Sequence, residues 1–157
     1  MKTFTLALSL AVLNACGGKP DPSLPAPTIA LAAGTSTLRV EVAGVHSALG
    51  MIDVALFNAA DGFPGPSPII GGAREAKANG GTLIFEFTAL PAGTYAVSMQ
   101  HDENGNGKLD TSLVGAPIEG YGITNNITHA TSAPTFEESK VELAAGQVLQ
   151  SRINVKY

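Results

Sequence analysis

The chain has 157 residues, 45% hydrophobic, 14% charged and 6% aromatic, with a formal net charge of −4 and a pI near 5.2. That is the length of one domain; the apolar content excludes a disordered polar chain, and the acidic balance leaves no basic footprint for nucleic acid. One Cys excludes an internal disulfide and a thiolate zinc cage, so burial of apolar surface has to hold the fold.

Residues 1–15 read as a lipoprotein signal peptide. Lys2 gives a positive head, and Phe4 to Leu13 is an apolar run interrupted by Thr5 and Ser9. A run of that length is too short for a bilayer core, which takes about 20 helical residues, and suits the apolar region of an export signal. It ends at Leu13-Asn14-Ala15-Cys16, which resembles the lipobox of bacterial lipoproteins, where cleavage leaves the cysteine as an acylated terminus. Cys16 is therefore the expected lipidation site, and the membrane, reached through that lipid, is the expected partner. Two or three acyl chains suffice for stable anchoring. The expected location is the cell envelope, and Gly17 after the cysteine resembles outer-membrane sorting, on the periplasmic face, in a Gram-negative host.

Residues 16–36 form a linker with Pro20, Pro22, Pro25 and Pro27. Such proline density favours an extended conformation of about 3.1 Å per residue, a semi-rigid tether.

From Thr37 the apolar period becomes two. Leu38, Val40 and Val42 form one alternating set, followed by Ile52, Val54 and Leu56, then Leu83, Phe85 and Phe87, then Tyr95, Val97 and Met99. Val141 and Leu143 follow, and Leu149, Ile153 and Val155 close the series. Each set reads as a half-buried strand, and Gly- and Pro-rich turns separate them. Six strands are expected in this way, with a seventh between residues 115 and 137. The expected fold is all-β, an antiparallel Ig-like or transthyretin-like β-sandwich of about seven strands over residues 37–157. Two long loops, 59–80 and 102–135, are the places where such a scaffold carries function.

The second loop opens with Asp102-Glu103-Asn104-Gly105-Asn106-Gly107-Lys108-Leu109-Asp110. Asp102, Asn104 and Asn106, the Lys108 carbonyl and Asp110 repeat the oxygen spacing of a calcium loop, since that hard cation takes six to eight oxygens. Leu113 stands where the bidentate Glu belongs, so Glu119 or Glu103 has to complete the shell through folding of the loop. Asn-Gly pairs are also turn formers in their own right, because both residues tolerate positive φ. Calcium binding and a plain turn therefore both account for this stretch.

At this loop the sequence resembles a bacterial family catalogued as domain of unknown function 2141. The likeness runs from Leu90-Pro91-Ala92-Gly93-Thr94-Tyr95 through the 102–110 loop and Gly115-Ala116-Pro117-Ile118-Glu119-Gly120-Tyr121-Gly122 to Pro134-Thr135-Phe136. It departs at Ile123-Thr124, where Phe-Ser is usual in the family. The resemblance implies a secreted or envelope-attached sandwich and lends no reaction.

Enzyme chemistry finds little support. His101 beside Asp102, with Ser98 or Ser112 as a nucleophile, invites a catalytic reading, but neighbours on a strand point to opposite faces. His101 is in phase with Tyr95, Val97 and Met99, so it is expected to cap the core, while His46 and His129 stand alone in loop surroundings, where one imidazole is weak evidence for a metal. No nucleophile elbow, His-x-x-x-His zinc motif, Gly-rich phosphate loop or close carboxylate dyad is present in the sequence. The leading reading is a non-enzymatic, lipid-anchored envelope sandwich whose ligand, a glycan or an envelope protein, is open. The alternatives are a carbohydrate-binding or adhesion module using Tyr121 to stack on a sugar, and a polysaccharide hydrolase using the loop carboxylates. That hydrolase needs two carboxylates about 5 to 9 Å apart across a cleft.

Overall fold

The computed structural model describes residues 35–65 and 73–157. The leader, Cys16 and the proline-rich tether lie outside the described residues. Eight strands are present among those described: β1 (Ser36–Ala43), β2 (Met51–Phe57), β3 (Ala73–Lys77), β4 (Thr82–Leu90), β5 (Gly93–Asp102), β6 (Gly120–Ile123), β7 (Val141–Leu143) and β8 (Val148–Asn154). A 3-10 turn covers Thr124–Asn126, and one helical turn, α1, covers Phe136–Ser139.

Period-two patterning builds two sheets with a shared core. The smaller sheet has the order β4-β1-β8 and the larger β3-β2-β5-β6, with β7 paired to the start of β5. Leu38, Val40 and Val42 of β1 and Ile52, Val54 and Leu56 of β2 are completely buried, facing Val97 and Met99 of β5 and Ile153 of β8. Alternate residues of β1 such as Arg39 and Glu41 are partly exposed and ion-pair with Glu86 and Arg152. Apolar area removed from water stabilises such a core by about 25 cal/mol per Å².

The structure differs from the sequence expectation at two points. The 59–80 segment, expected as a loop, carries β3, which pairs antiparallel with β2 from Met51↔Lys77 to Ala55↔Ala73. Its sequence Ala-Arg-Glu-Ala-Lys has no apolar alternation, because it is held at a sheet edge by backbone pairing. The smaller sheet is also mixed: β1 runs antiparallel to β4 and parallel to β8, in register from Thr37↔Val148 to Ala43↔Asn154. Alternation reads the same in both strand directions, so the pattern of β8 contains its face and not its orientation. The expected seventh strand is β6, at Gly120–Ile123.

Three local devices finish the sandwich. Opposite Thr37 the pairing slips, with Leu38 facing Phe87 and Ser36 facing Leu90, and Ala89 at φ 57 absorbs the extra residue. This bulge turns Leu90 inward although its parity differs from that of Phe85 and Phe87. The Asn126 side chain lies along β8, donating to the Arg152 carbonyl at 3.0 Å and accepting the Asn154 N–H at 2.7 Å. It occupies backbone groups that an edge strand would otherwise leave open. On the outer face of the larger sheet, Phe57, Ala96 and Phe136 form a small second core with Phe63, whose ring meets Phe57 and Phe136 edge to face.

Phe136 is presented by α1, which starts on a capping box: Thr135 Oγ1 accepts the Glu138 N–H while Glu138 Oε2 accepts the Thr135 N–H. The Thr135 hydroxyl, its backbone N–H and then His129 hold the Glu138 carboxyl at about 2, against an ordinary 4.5. A depressed carboxylate favours the folded chain above its ordinary value and loses that contribution as pH falls through about 2. In Thr135→Ala the Glu138 titration followed by carbon NMR should move up toward 4.5; a titration unchanged near 2 would contradict the capping box as its cause.

Packing between the sheets is close at Gly122, where a Cβ would stand 2.4 Å from Ile153 Cγ2 and 3.3 Å from Met99 Sδ. Gly122→Ala should therefore destabilise by about 1–3 kcal/mol by overpacking, and Ile153→Ala by about 2–5 kcal/mol through a cavity. Denaturant unfolding of the double variant should give less than the sum, since the new methyl enters the space vacated by Ile153. Strict additivity would show that the two residues do not share that space.

Candidate functional site

β5 leaves the sandwich at His101-Asp102 and runs into the 102–110 loop. Its last residues feed two adjoining polar clusters. Strand alternation turns His101 and Glu103 toward the segment before β2, and Asp102 toward the loop.

The loop is organised around Asp102, which is 3% exposed. Its Oδ1 accepts the N–H of Gly105 at 2.7 Å and of Asn106 at 3.1 Å, and its Oδ2 accepts that of Gly107 at 2.7 Å. Asn104 Oδ1 takes the Asn106 N–H and Asn106 Oδ1 the Lys108 N–H, two successive Asx turns. Asp110 accepts from the side-chain amides of Asn104, at 2.5 Å, and of Asn106, at 3.0 and 3.1 Å. Glu119 is buried and reaches both ends of the loop, accepting the Glu103 N–H and the Asp110 N–H at 3.0 Å each. Between Asp110 and Glu119 the chain makes a small hairpin, bridged at Thr111↔Pro117, whose tip exposes Leu113 and Val114.

Folding thus brings Asp102, Asn104, Asn106, Asp110 and Glu119 together. The contacts they make are with N–H groups. Asn104 and Asn106 direct amide nitrogens, not oxygens, at Asp110, so the donor set is arranged as a self-satisfied turn. A calcium ion would require both amides to rotate. Lys108 is exposed, and Tyr121 is half-buried in β6 with its backbone bridged to Lys156 in both directions at 2.9 Å.

The second cluster was not legible as a set of neighbours in the sequence. His101 is completely buried, with Nε2 2.8 Å from the Leu49 carbonyl and Nδ1 2.7 Å from the Tyr157 hydroxyl. A carbonyl only accepts, so Nε2 carries the proton and Nδ1 accepts from the phenol. Tyr157 also accepts the His46 N–H at 3.2 Å and stacks on the His46 ring, with centroids 3.5 Å apart. Tyr157 is 46% exposed, and the partial burial of its ring raises the phenol pKa, which keeps the donor proton in place. His46 Nε2 and the Ser47 hydroxyl converge on Glu103 Oε1 at 3.0 and 2.6 Å. The Ser47 hydroxyl, ahead of His46, holds the Glu103 carboxyl below its ordinary value.

His46 is therefore partnered, contrary to the sequence expectation, and so is His129, which bonds Glu138 at 3.0 Å. The usable signal was the antiparallel pairing of β2 with β5: Met51 faces Asp102, so residues before 51 and after 102 fall at the same end. Tyr157 reaches the cluster because Gly120 leaves it room; a Cβ there would stand 2.6 Å from its ring. His101 caps the core beside the loop, as its phase implies.

Hydrogen bonds to a charged acceptor contribute about 1.5–3 kcal/mol. Asp102→Ala should accordingly speed amide exchange at Gly105, Asn106 and Gly107 by about 10- to 100-fold while the strands keep their protection; unaltered exchange at those three amides would sink this account of the loop.

No curated protein and no solved structure gives a match to the chain. One family model does, over residues 40–151, and it spans every strand from β2 to β7 with the second half of β1 and the start of β8. The chain belongs to the bacterial family described as "Uncharacterized protein conserved in bacteria (DUF2141)".

Proposed function

We propose that the mature protein is a non-enzymatic β-sandwich held on the cell envelope by lipid on Cys16, with the 102–122 end as its ligand-facing surface. The observation that carries this reading is the place of the chain's only Cys, at the end of an apolar leader in Leu13-Asn14-Ala15-Cys16, followed by a proline-rich spacer that sets the sandwich off the membrane. A non-enzymatic role is supported by how the polar groups at that end are used. The carboxylates of Asp102, Asp110 and Glu119 accept N–H groups of their own loop, and the His101 ring bonds Tyr157 and Leu49, not a serine. A binding role is supported by Leu113, Val114 and Ile118, which stand exposed on the hairpin beside the loop. The ligand is a glycan or an envelope protein.

Cells fed a labelled fatty acid should label the full chain, and Cys16→Ser should lose the label and shift the protein from the membrane to the soluble fraction. An unlabelled wild-type chain would overturn the anchoring.

Calcium as a stabiliser of the loop is a second reading, favoured by the side-chain oxygens at 102, 104, 106 and 110 and by Glu119 spanning the loop. A ligand that binds only the folded state at 100 times its Kd stabilises by about 2.7 kcal/mol. Millimolar calcium should then raise Tm by several degrees over EDTA, and the Asp102→Ala, Asp110→Ala double variant should lose the rise. Equal Tm values in calcium and EDTA would leave the loop as turn chemistry alone.

A further inference from the structure

His46, His101 and Glu103 each offer a ligand atom, and these three atoms lie within 4.8 Å of one another. Among the described residues no other group of three His, Cys, Asp or Glu side chains does so. We propose that this cluster is a binding site for a divalent transition-metal ion of the zinc type, with two imidazoles and one carboxylate as protein ligands and a fourth position open toward water. The site shares Glu103 with the 102–110 loop but uses none of that loop's Asp or Asn side chains, and it does not depend on the functional reading above.

Chemistry selects the ion class. Imidazole nitrogen suits zinc, copper and nickel, whereas calcium and magnesium take oxygen. Three protein ligands with one open position is the coordination of zinc sites that keep an exchangeable water. His46 Nε2 and Glu103 Oε1 are 3.0 Å apart, close to the separation of about 3.3 Å that two ligands at 2.0–2.1 Å from one tetrahedral ion adopt. His46 is half exposed, so its ring has freedom to adjust and the ion has a path from solvent.

The supporting contacts are those of a metal site. A metal-binding histidine usually donates its other ring N–H to a carbonyl or carboxylate, which fixes the tautomer. His101 does this through Nε2–H to the Leu49 carbonyl, leaving the Nδ1 lone pair to face the Tyr157 hydroxyl. Ser47 fixes the Glu103 carboxylate, and Tyr157 fixes the plane of the His46 ring by stacking. Coordination moves the His46 proton from Nε2 to Nδ1 and frees the Tyr157 hydroxyl from His101 to bond water; no proton need leave the protein.

The test is calorimetric titration of the full chain with zinc chloride after EDTA treatment and its removal. It is done in the Cys16→Ser background, so that the thiol does not compete. Saturable uptake of one equivalent is expected, weakened at least about tenfold by His46→Ala and by Glu103→Gln and unchanged in His129→Ala, which removes the unrelated His-Glu pair. His46 lies at the surface, so its variant should keep the wild-type circular dichroism. Copper(II) titration should give an electron paramagnetic resonance spectrum with two nitrogen donors in wild type and one in His46→Ala, a readout that a purely structural cluster would not produce. No saturable uptake up to about 100 µM zinc, or uptake that neither His46→Ala nor Glu103→Gln weakens, would overturn the proposal. Displacement of zinc by a tenfold excess of calcium would overturn the imidazole assignment.

Discussion

The C-terminal tail is the constraint on which the rest of this sandwich depends. After β8 the chain leaves the smaller sheet and joins the larger: Val155 donates to the Ala43 carbonyl at 2.8 Å, and the next residue, Lys156, is bridged in both directions to Tyr121 of β6. Four residues from the end of β8 to the last residue thus fasten the two sheets along one side. That fastening delivers the Tyr157 ring over Gly120 and against His46, and its hydroxyl to His101. A side chain at position 120 would hold the ring away, and the histidine cluster would lose the group that keeps both its rings in place.

Strand alternation then divides one short stretch of sequence between two chemistries. His101-Asp102-Glu103 are consecutive, yet His101 and Glu103 join the segment 46–49 while Asp102 turns to the loop. Asp102 and Glu119 act there as acceptors for backbone amides that a loop of this length has to satisfy. Converging N–H donors satisfy the oxygens of both side chains, which is why two buried acidic residues coexist at one end of a small sandwich. Rigidity of the end follows from the same bonds, since each carboxylate ties residues distant along the loop.

Fold class and core membership were legible because they rest on period two. Leu38, Val40, Val42, Ile52, Val54 and Leu56 alternate without a break and are all completely buried. Orientation and edge pairing were not legible, because they rest on backbone bonds that leave no trace in side-chain pattern, as with β3 and the parallel β1 and β8 pair. The acidic loop was legible as a cluster, since its members lie within one stretch of chain, although its partners turned out to be N–H groups. The histidine cluster combines residues from three distant parts of the chain, 46–49, 101–103 and 157. It depends on the β2 and β5 register and on where the tail ends, neither of which a motif encodes. Tyr157 belongs to no sequence motif for the same reason.

The parallel pairing of β1 with β8 has a kinetic consequence. The first and last strands described are neighbours, in register from Thr37↔Val148 onward, so the smaller sheet has only β4 to pair with β1 until β8 has been made. Contacts of such sequence separation make ring closure entropically costly and folding slow relative to local structure. A chain made only as far as β7 therefore exposes β1 along one edge and leaves the core open there. Completion of the smaller sheet therefore waits on the strand most distant from β1 in sequence, and one edge of β1 stays unpaired until β8 docks.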